Sequence, residues 1–431
     1  MDERQTDAEG ANLPQKFQNW FAERGWQPRA HQLELLQRAQ NGRSTLLIAP
    51  TGAGKTLAGF LPSLIDLFRE DGLRRKPGMA FFGPHTLYIS PLKALAVDIA
   101  RNLEAPVREM DLPVTVETRT GDTPAHKRQR QKERPPDILL TTPEQIALLL
   151  ADRTAERFFK QVKTIIFDEL HSLVVSKRGD LLSLGLARLF RHAPDITTIG
   201  LSATVANPQD LQAWLAPQNR EHGEVSEAGL IQITGGAKPD ISILETKERL
   251  PWAGHTALYA IDDIYRQIKQ HKTTLLFVNT RFQAELLFQE LWRVNEEALP
   301  IAMHHGSLDV GQRRKVEAAM GTGSLRAIVA TSTLDLGIDW GDVDLVIHVG
   351  APKGASRLAQ RIGRSNHRMD VPSKGILVPA NRFEVLECKA ALDANYIGAQ
   401  DTPRLHDGAL DVLCQHVLGM ACAAPFQADA L

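Results

Sequence analysis

A chain of 431 residues has room for two or three domains of about 150 residues each. Hydrophobic residues at 43% and charged residues at 23% are ordinary globular usage and exclude wholesale disorder. With 50 Lys and Arg against 51 Asp and Glu, the net charge of −1 excludes bulk-charge binding of nucleic acid but leaves local grips on a backbone open. Cys388, Cys414 and Cys422 form no CxxC pair, which argues against a disulfide framework or a cysteine-rich zinc site. No apolar run reaches the ~18 residues of a membrane span. The polar start MDERQTDAEG lacks the apolar stretch of a secretory signal. The expectation is a soluble chain of a reducing compartment with no membrane partner.

In chain order, residues 1 to about 12 are polar and read as a frayed end. Phe17, Trp20, Phe21, Leu33, Leu35 and Leu36 recur at helical spacing around a break at Gly25 and Pro28. The first strand is expected over 44–49. It runs through a Gly-rich turn into a helix over 55–68, the opening of a βαβ unit. The basic stretch 69–77 reads as a loop. Further strands are expected over 86–90, 114–118, 137–141, 164–167 and 197–201, with helices over 92–103, 144–150 and 181–190 between them. Such alternation implies a parallel sheet covered on both faces. The pattern weakens over 215–255, where Gly235, Gly236, Pro239, Pro251 and Gly254 punctuate it, and a boundary is expected near 240. A second block follows, with strands over 274–278, 327–330, 345–349 and 375–378 and helices over 281–292 and 311–320. The fold class is α/β, in two parallel-sheet domains over 1–240 and 241–400. The remainder, 401–431, is helical from Leu405.

The turn from Ala49 to Thr56, sequence APTGAGKT, has P-loop form with Ala49 at the position of the usual first Gly. Gly52 and Gly54 permit a tight turn whose N–H groups, with those of Thr51 and Ala53, converge on phosphate oxygens. Lys55 reaches the β and γ phosphates and Thr56 a Mg²⁺ ion. Downstream, an apolar strand delivers Asp168 and Glu169 at its carboxyl end, where ligands of parallel sheets bind. Asp168 is the expected Mg²⁺ ligand. Glu169 orients or deprotonates the attacking water. Together these motifs imply hydrolysis of a nucleoside triphosphate. His171 has no second metal ligand at useful spacing and reads as a polar coupling residue. The basic run 127–132 reads as a solvated loop or helix face.

An ordered series of short motifs resembles the superfamily 2 helicases of the DExH type. The P-loop is followed by SPLKAL over 90–95, RTGD over 119–122, TTPE over 141–144, DELH over 168–171 and SAT over 202–204. The second block carries FVNTR over 277–281, HHGS over 304–307, ATSTLDLGID over 330–339 and QRIGR over 360–364. Within that group the chain is similar to the large helicase-related (Lhr) family, and in it to the ligase-associated DNA helicases. This rests on FQNWF over 17–21, RAHQ over 29–32, TRTGDT over 118–123, KRGD over 177–180 and QRIGRSNH over 360–367.

The resemblance implies two tandem RecA-like domains followed by the start of a winged helix, of which Leu405 to Cys422 matches the first part. It implies an ATP- and Mg²⁺-dependent DNA helicase that translocates 3′ to 5′ on single-stranded DNA and unwinds DNA or RNA:DNA duplexes in repair. By position, Gln32 is the adenine contact, and Gly337, Asp339, Gln360 and His367 complete the ATP site. Ser202 and Thr204, with His171, couple it to the strand. Pro91, Lys93, Arg119, Gly121, Thr141, Thr142, Asn279, Thr280, Arg281, Gly306, Ser307 and Thr331 are the implied strand contacts. The arginine completing catalysis is Arg361 or Arg364, with Arg364 preferred. His367 stands where many members have a third Arg, and Asn366 where a small Gly is usual. Implied partners are a DNA ligase and a nuclease of a repair cluster, for a monomer in a nucleoid-associated cytoplasmic setting. Two other readings share every motif: an RNA or RNA:DNA helicase of Ski2-like type, and an ATP-gated clamp or annealing factor that does not unwind.

Overall fold

The computed structural model describes residues 13–50, 52–69, 83–203, 205–218, 225–233, 235, 237–335, 343–366, 371–399, 401, 405 and 408–427. The chain falls into two compact units, one over Gly54–Ile233 with flanking Met1–Ala49 and Pro403–Leu431, the other over Thr234–Thr402 with Pro50–Ala53. The change of unit at Ile233 comes a few residues before the sequence boundary near 240, and the strand that begins at Asp240 belongs to the second sheet.

The first sheet has seven strands: β1 (Thr45–Ile48), β2 (Thr86–Ile89), β3 (Val116–Arg119), β4 (Ile138–Thr141), β5 (Thr164–Phe167), β6 (Thr197–Ser202) and β7 (Gly229–Gln232). Their order is β3-β4-β2-β5-β6-β1-β7, and every pairing is parallel. The sequences TLLI, TLYI, ILLT and TIIF are apolar along their whole length because helices cover both faces, leaving β1, β2, β4 and β5 buried at every position. Parallel strands need crossovers. Lys55–Arg69, Lys93–Glu109, Pro143–Leu150 and Lys177–His192 are among the helices that supply them. Leu46, Leu87, Phe159, Ile165, Phe167, Leu189 and Leu215 lie in one core beneath these helices.

The helix Leu410–Ala423 packs on Pro143–Leu150 and Lys177–His192 of this same unit. Lys177 Nζ meets Asp411 Oδ2 at 2.7 Å at its start.

The second sheet has six strands: β8 (Asp240–Ile243), β9 (Thr274–Phe277), β10 (Ile301–His304), β11 (Ala327–Ala330), β12 (Leu345–Val349) and β13 (Lys374–Val378). The order is β10-β11-β9-β12-β13-β8, again with parallel pairings. Two apolar clusters, one with Leu276, Val278 and Ile347 and the other with Leu275, Phe277 and Val346, cover its two faces.

Two tandem RecA-like α/β domains are therefore present. The sequence reading misses β7, β8 and β10, and these three are edge strands. An edge strand has one open flank and partly exposed side chains, so its apolar signal is short and broken. The basic run 127–132 lies on the helix Ala125–Glu133. There Arg130 pairs with Glu117 at 2.5 Å and Lys132 with Asp152. The stretch 70–77 of the expected loop lies outside the described residues.

Candidate functional site

β1 ends at Ile48, and the chain turns into the helix Lys55–Arg69 within a few residues. Gly52 and Gly54 take φ of 76° and 75°, the left-handed region where a side chain is strained. A Cβ on Gly54 would also press on Gln32 Nε2 at 3.0 Å. Gln32 is 4% exposed and fixed at the start of its own helix. Its Oε1 accepts from Arg29 N–H at 2.9 Å and its Nε2 donates to Gly54 O at 3.4 Å. Lys55 Nζ donates to Ala49 O at 2.7 Å, holding the ammonium over the turn.

At the carboxyl end of β5, Asp168 is 7% exposed. Its Oδ1 accepts from Glu169 N–H at 3.0 Å, and its Oδ2 accepts from the Tyr88 hydroxyl. Tyr88 is fully buried at the centre of β2 and stacks on Phe60. Burial first, and then the Glu169 charge, push the Asp168 carboxyl up to about 6, while Lys55 pulls the other way. A buried carboxylate beside another carboxylate and a lysine is a donor set that gains from a divalent cation. Asp168 thus fits the Mg²⁺ expectation.

Glu169 sits at φ 47°, left-handed for a non-glycine residue, and begins the one-turn helix Leu170–Leu173. That turn brings His171 back toward the sheet. His171 Nδ1 lies 3.0 Å from Ser202 Oγ, and its Nε2 lies 3.5 Å from Glu169 Oε2. Burial holds the His171 ring below its usual range, against the Glu169 charge. DELH and SAT are therefore linked directly through His171.

The first-unit strand motifs converge as well. Lys93 Nζ pairs with Asp122 Oδ1 at 2.9 Å, and a Cβ on Gly121 would lie 3.0 Å from that Nζ. Arg178 of KRGD gives NH1 to Pro91 O at 2.5 Å and forks onto the Glu144 carboxylate. Not every expected contact is accessible. Arg119 is 5% exposed and donates NH1 to Arg128 O at 2.8 Å. Thr141 is fully buried, its hydroxyl donating to Arg119 O at 2.8 Å. In this structure these two side chains brace the loops that carry Gly121 and Thr142. Thr142 is itself 2% exposed.

In the second unit, Asn279, Thr280 and Arg281 follow β9 directly. Asn279 Nδ2 donates to Ala351 O at 2.8 Å, and Thr280 caps the helix Arg281–Arg293. Arg281 Nε donates to Glu285 Oε1 at 2.7 Å, and the same oxygen lies 3.6 Å from His305 Nε2. His304 Nδ1 meets Thr333 Oγ1 at 2.8 Å, joining the loop of Gly306 and Ser307 to that of Thr331.

Arg361 is 1% exposed. Its Nε donates to Asp335 Oδ1 at 2.7 Å, its NH1 lies 2.7 Å from His348 Nε2, and its guanidinium lies over Phe277. Burial, then the neighbouring arginine, push His348 down to about 3, so the ring is neutral and Nε2 accepts. Arg361 is thus held by partners within its own domain. Arg364 donates NH2 to Asp335 O at 3.2 Å. Gln360 Nε2 is buried without a hydrogen-bond partner among the described residues. Thr51, Thr204, Gly337, Asp339 and His367 lie outside the described residues.

Comparison with known proteins agrees with this geometry. The DEAD/DEAH box helicase family matches residues 29–211, and the helicase conserved C-terminal domain matches 257–369. The ATP-dependent helicase Lhr-Core of Methanothermobacter thermautotrophicus is 37% identical over 90% of this chain and 46% of its own length. Lhr-Core protein 2 of Thermococcus barophilus is 37% identical over 88% of this chain and 45% of its own. The solved helicase Lhr of Mycobacterium smegmatis, bound to ssDNA and AMP-PNP, superposes with a TM-score of 0.85 at 34% identity. It covers 99% of this chain, and this chain covers 55% of it.

The chain carries the paired DEAD/DEAH box and C-terminal helicase domains and is similar to the Lhr helicases.

It spans about half the length of the curated Lhr relatives it matches. Four residues that the sequence reading did not assign are tied into the site: Tyr88 on Asp168, Arg178 between two loops, and Asp335 with His348 around Arg361. Arg178 lies in a motif already read. The other three sit inside apolar strands or mid-motif, where spacing carries no signal. No helix among the described residues is long and apolar enough to cross a membrane.

Proposed function

We propose that this chain is the motor portion of a nucleic-acid-dependent ATPase that translocates 3′ to 5′ on single-stranded DNA. In this reading it unwinds DNA or RNA:DNA duplexes during repair, in company with a DNA ligase and a nuclease. One observation carries it. The P-loop lysine acts electrostatically on a buried carboxylate whose neighbours lead straight to the SAT motif. A nucleotide bound there is felt, through Glu169 and His171, at Ser202.

Lys55 and the N–H groups of the turn hold the β and γ phosphates. Gln32, anchored on Gly54 O, reads the base beside them. Thr56 and Asp168 would hold Mg²⁺, which neutralises developing phosphate charge. Glu169 orients the attacking water and accepts its proton. Arg364 adds positive charge at the γ phosphate. Exposed Lys93, Gly121, Thr280, Arg281, Gly306 and Ser307 grip the sugar-phosphate backbone without reading sequence.

Lys55→Ala and Glu169→Gln are expected to abolish DNA-stimulated ATP turnover while thermal unfolding stays close to that of the parent chain. Normal turnover in either variant sinks the assignment. A strand-displacement assay on 3′-tailed and 5′-tailed duplexes then separates a translocase from an ATP-gated clamp.

A further inference from the structure

The three most exposed aromatic side chains among the described residues are Trp252 at 67%, Phe282 at 66% and Phe383 at 66%. They are scattered in sequence and gathered in the fold. Trp252 lies on a short loop that is bonded to the residues beside Phe282 and Phe383, at the carboxyl ends of β9 and β13. Arg382 N–H donates to Pro251 O at 3.1 Å, and Asn381 Nδ2 donates to Gly254 O at 2.8 Å. Gln283 Nε2 donates to His255 O at 2.6 Å. The loop is thereby pinned to the starts of the helices Arg281–Arg293 and Arg382–Tyr396. The Arg382 guanidinium stacks over the Trp252 ring at 4.1 Å. Exposed aromatics of this size lose free energy in water, and here the Trp252 loop is tied through its carbonyls to the starts of the helices that carry Phe282 and Phe383.

We propose that Trp252, Phe282 and Phe383 form a stacking platform for the bases of a single-stranded nucleic acid. It rests on the strand-translocation reading above and continues the path of Asn279, Thr280 and Arg281, the last of which immediately precedes Phe282. Every base has a π face, so the platform is indifferent to sequence. Arg382, already seated on Trp252, places a cation where a phosphate follows the stacked base. This chemistry suits a chain of net charge −1, which needs affinity that bulk charge does not supply. The polar rim of helix starts, Asn279 and Arg281 favours a strand over an apolar protein surface.

The test uses the full chain and two fluorescent oligomers of about 20 positions, one of oligothymidine and one of abasic backbone. The Trp252→Ala/Phe282→Ala double variant is expected to bind oligothymidine about tenfold more weakly and the abasic oligomer within about twofold of the parent. Trp252→Phe should restore most of the loss in the Trp252→Ala single variant. Equal losses on both oligomers would overturn the platform. So would parent-like binding of both, which would assign the surface to a protein instead. If the parent chain binds neither oligomer, the translocation reading falls with it, a result distinct from the other two.

Discussion

Arg361 holds a full set of buried partners. Removing it strips the Asp335 carboxylate of one of its two arginines, Arg357 remaining on Oδ2, and leaves the buried His348 Nε2 without its donor, a loss of about 2–3 kcal/mol. Arg361→Ala should therefore lower the urea midpoint of the second domain sharply. Arg364→Ala should cost less stability and instead slow ATP turnover by roughly 10³-fold. The reverse ranking would give Arg361 the catalytic role. His348 adds a pH dependence. Its folded value of about 3 lies below the unfolded value of about 6.5, so on acidification the unfolded chain takes up the proton first. Stability is then full above pH ~6.5 and falls as pH drops from there toward ~3, by up to about 1.4 kcal/mol per unit. Guanidinium unfolding at stepped pH reads this slope, and His348→Gln should flatten it. At this scale the sequence reveals residue types but not burial. QRIGR offers two arginines, of which the resemblance prefers Arg364, and only the packing on Phe277 and Asp335 shows how Arg361 is held. Arg119 and Thr141 are likewise readable as motif members but not as inward-facing.

Two loops that the sequence reads as separate strand motifs are braced by one side chain. Arg178, from the helix Lys177–His192, holds Pro91 O and the Glu144 carboxylate together. The pair is exposed by 40% and 46%, so its contribution to global stability is below about 1 kcal/mol. Its effect lies in loop position. Arg178→Ala should weaken single-strand binding several-fold with little change in unfolding, and Arg178→Lys should not rescue it, because a lysine cannot make the fork. Parent-like binding by Arg178→Ala would remove this role. Element assignment was most legible where strands are buried on both faces, as TIIF over Thr164–Phe167 and AIVA over Ala327–Ala330 illustrate. It failed at β7, β8 and β10, whose open flanks relax the demand for apolar residues.

For the whole chain, near-neutral charge sets the character of its grip. If Lys93, Arg281 and Arg382 supply most phosphate contacts, log Kobs for a single strand should fall against log salt with a slope of only about −2. A slope several times steeper would point to a basic surface that a net charge of −1 does not advertise. The order of strands has another consequence, for synthesis. β1, which carries the P-loop, has as neighbours only β6 and β7, with Thr45 opposite Ile199 and Gly229. During translation it emerges early and waits for both of them before its backbone is paired on either side. Until then the glycine turn has no scaffold and the apolar TLLI segment stays open to wrong partners. Nucleotide affinity of the nascent chain is therefore expected only after the strands at Thr197–Ser202 and Gly229–Gln232 have both emerged.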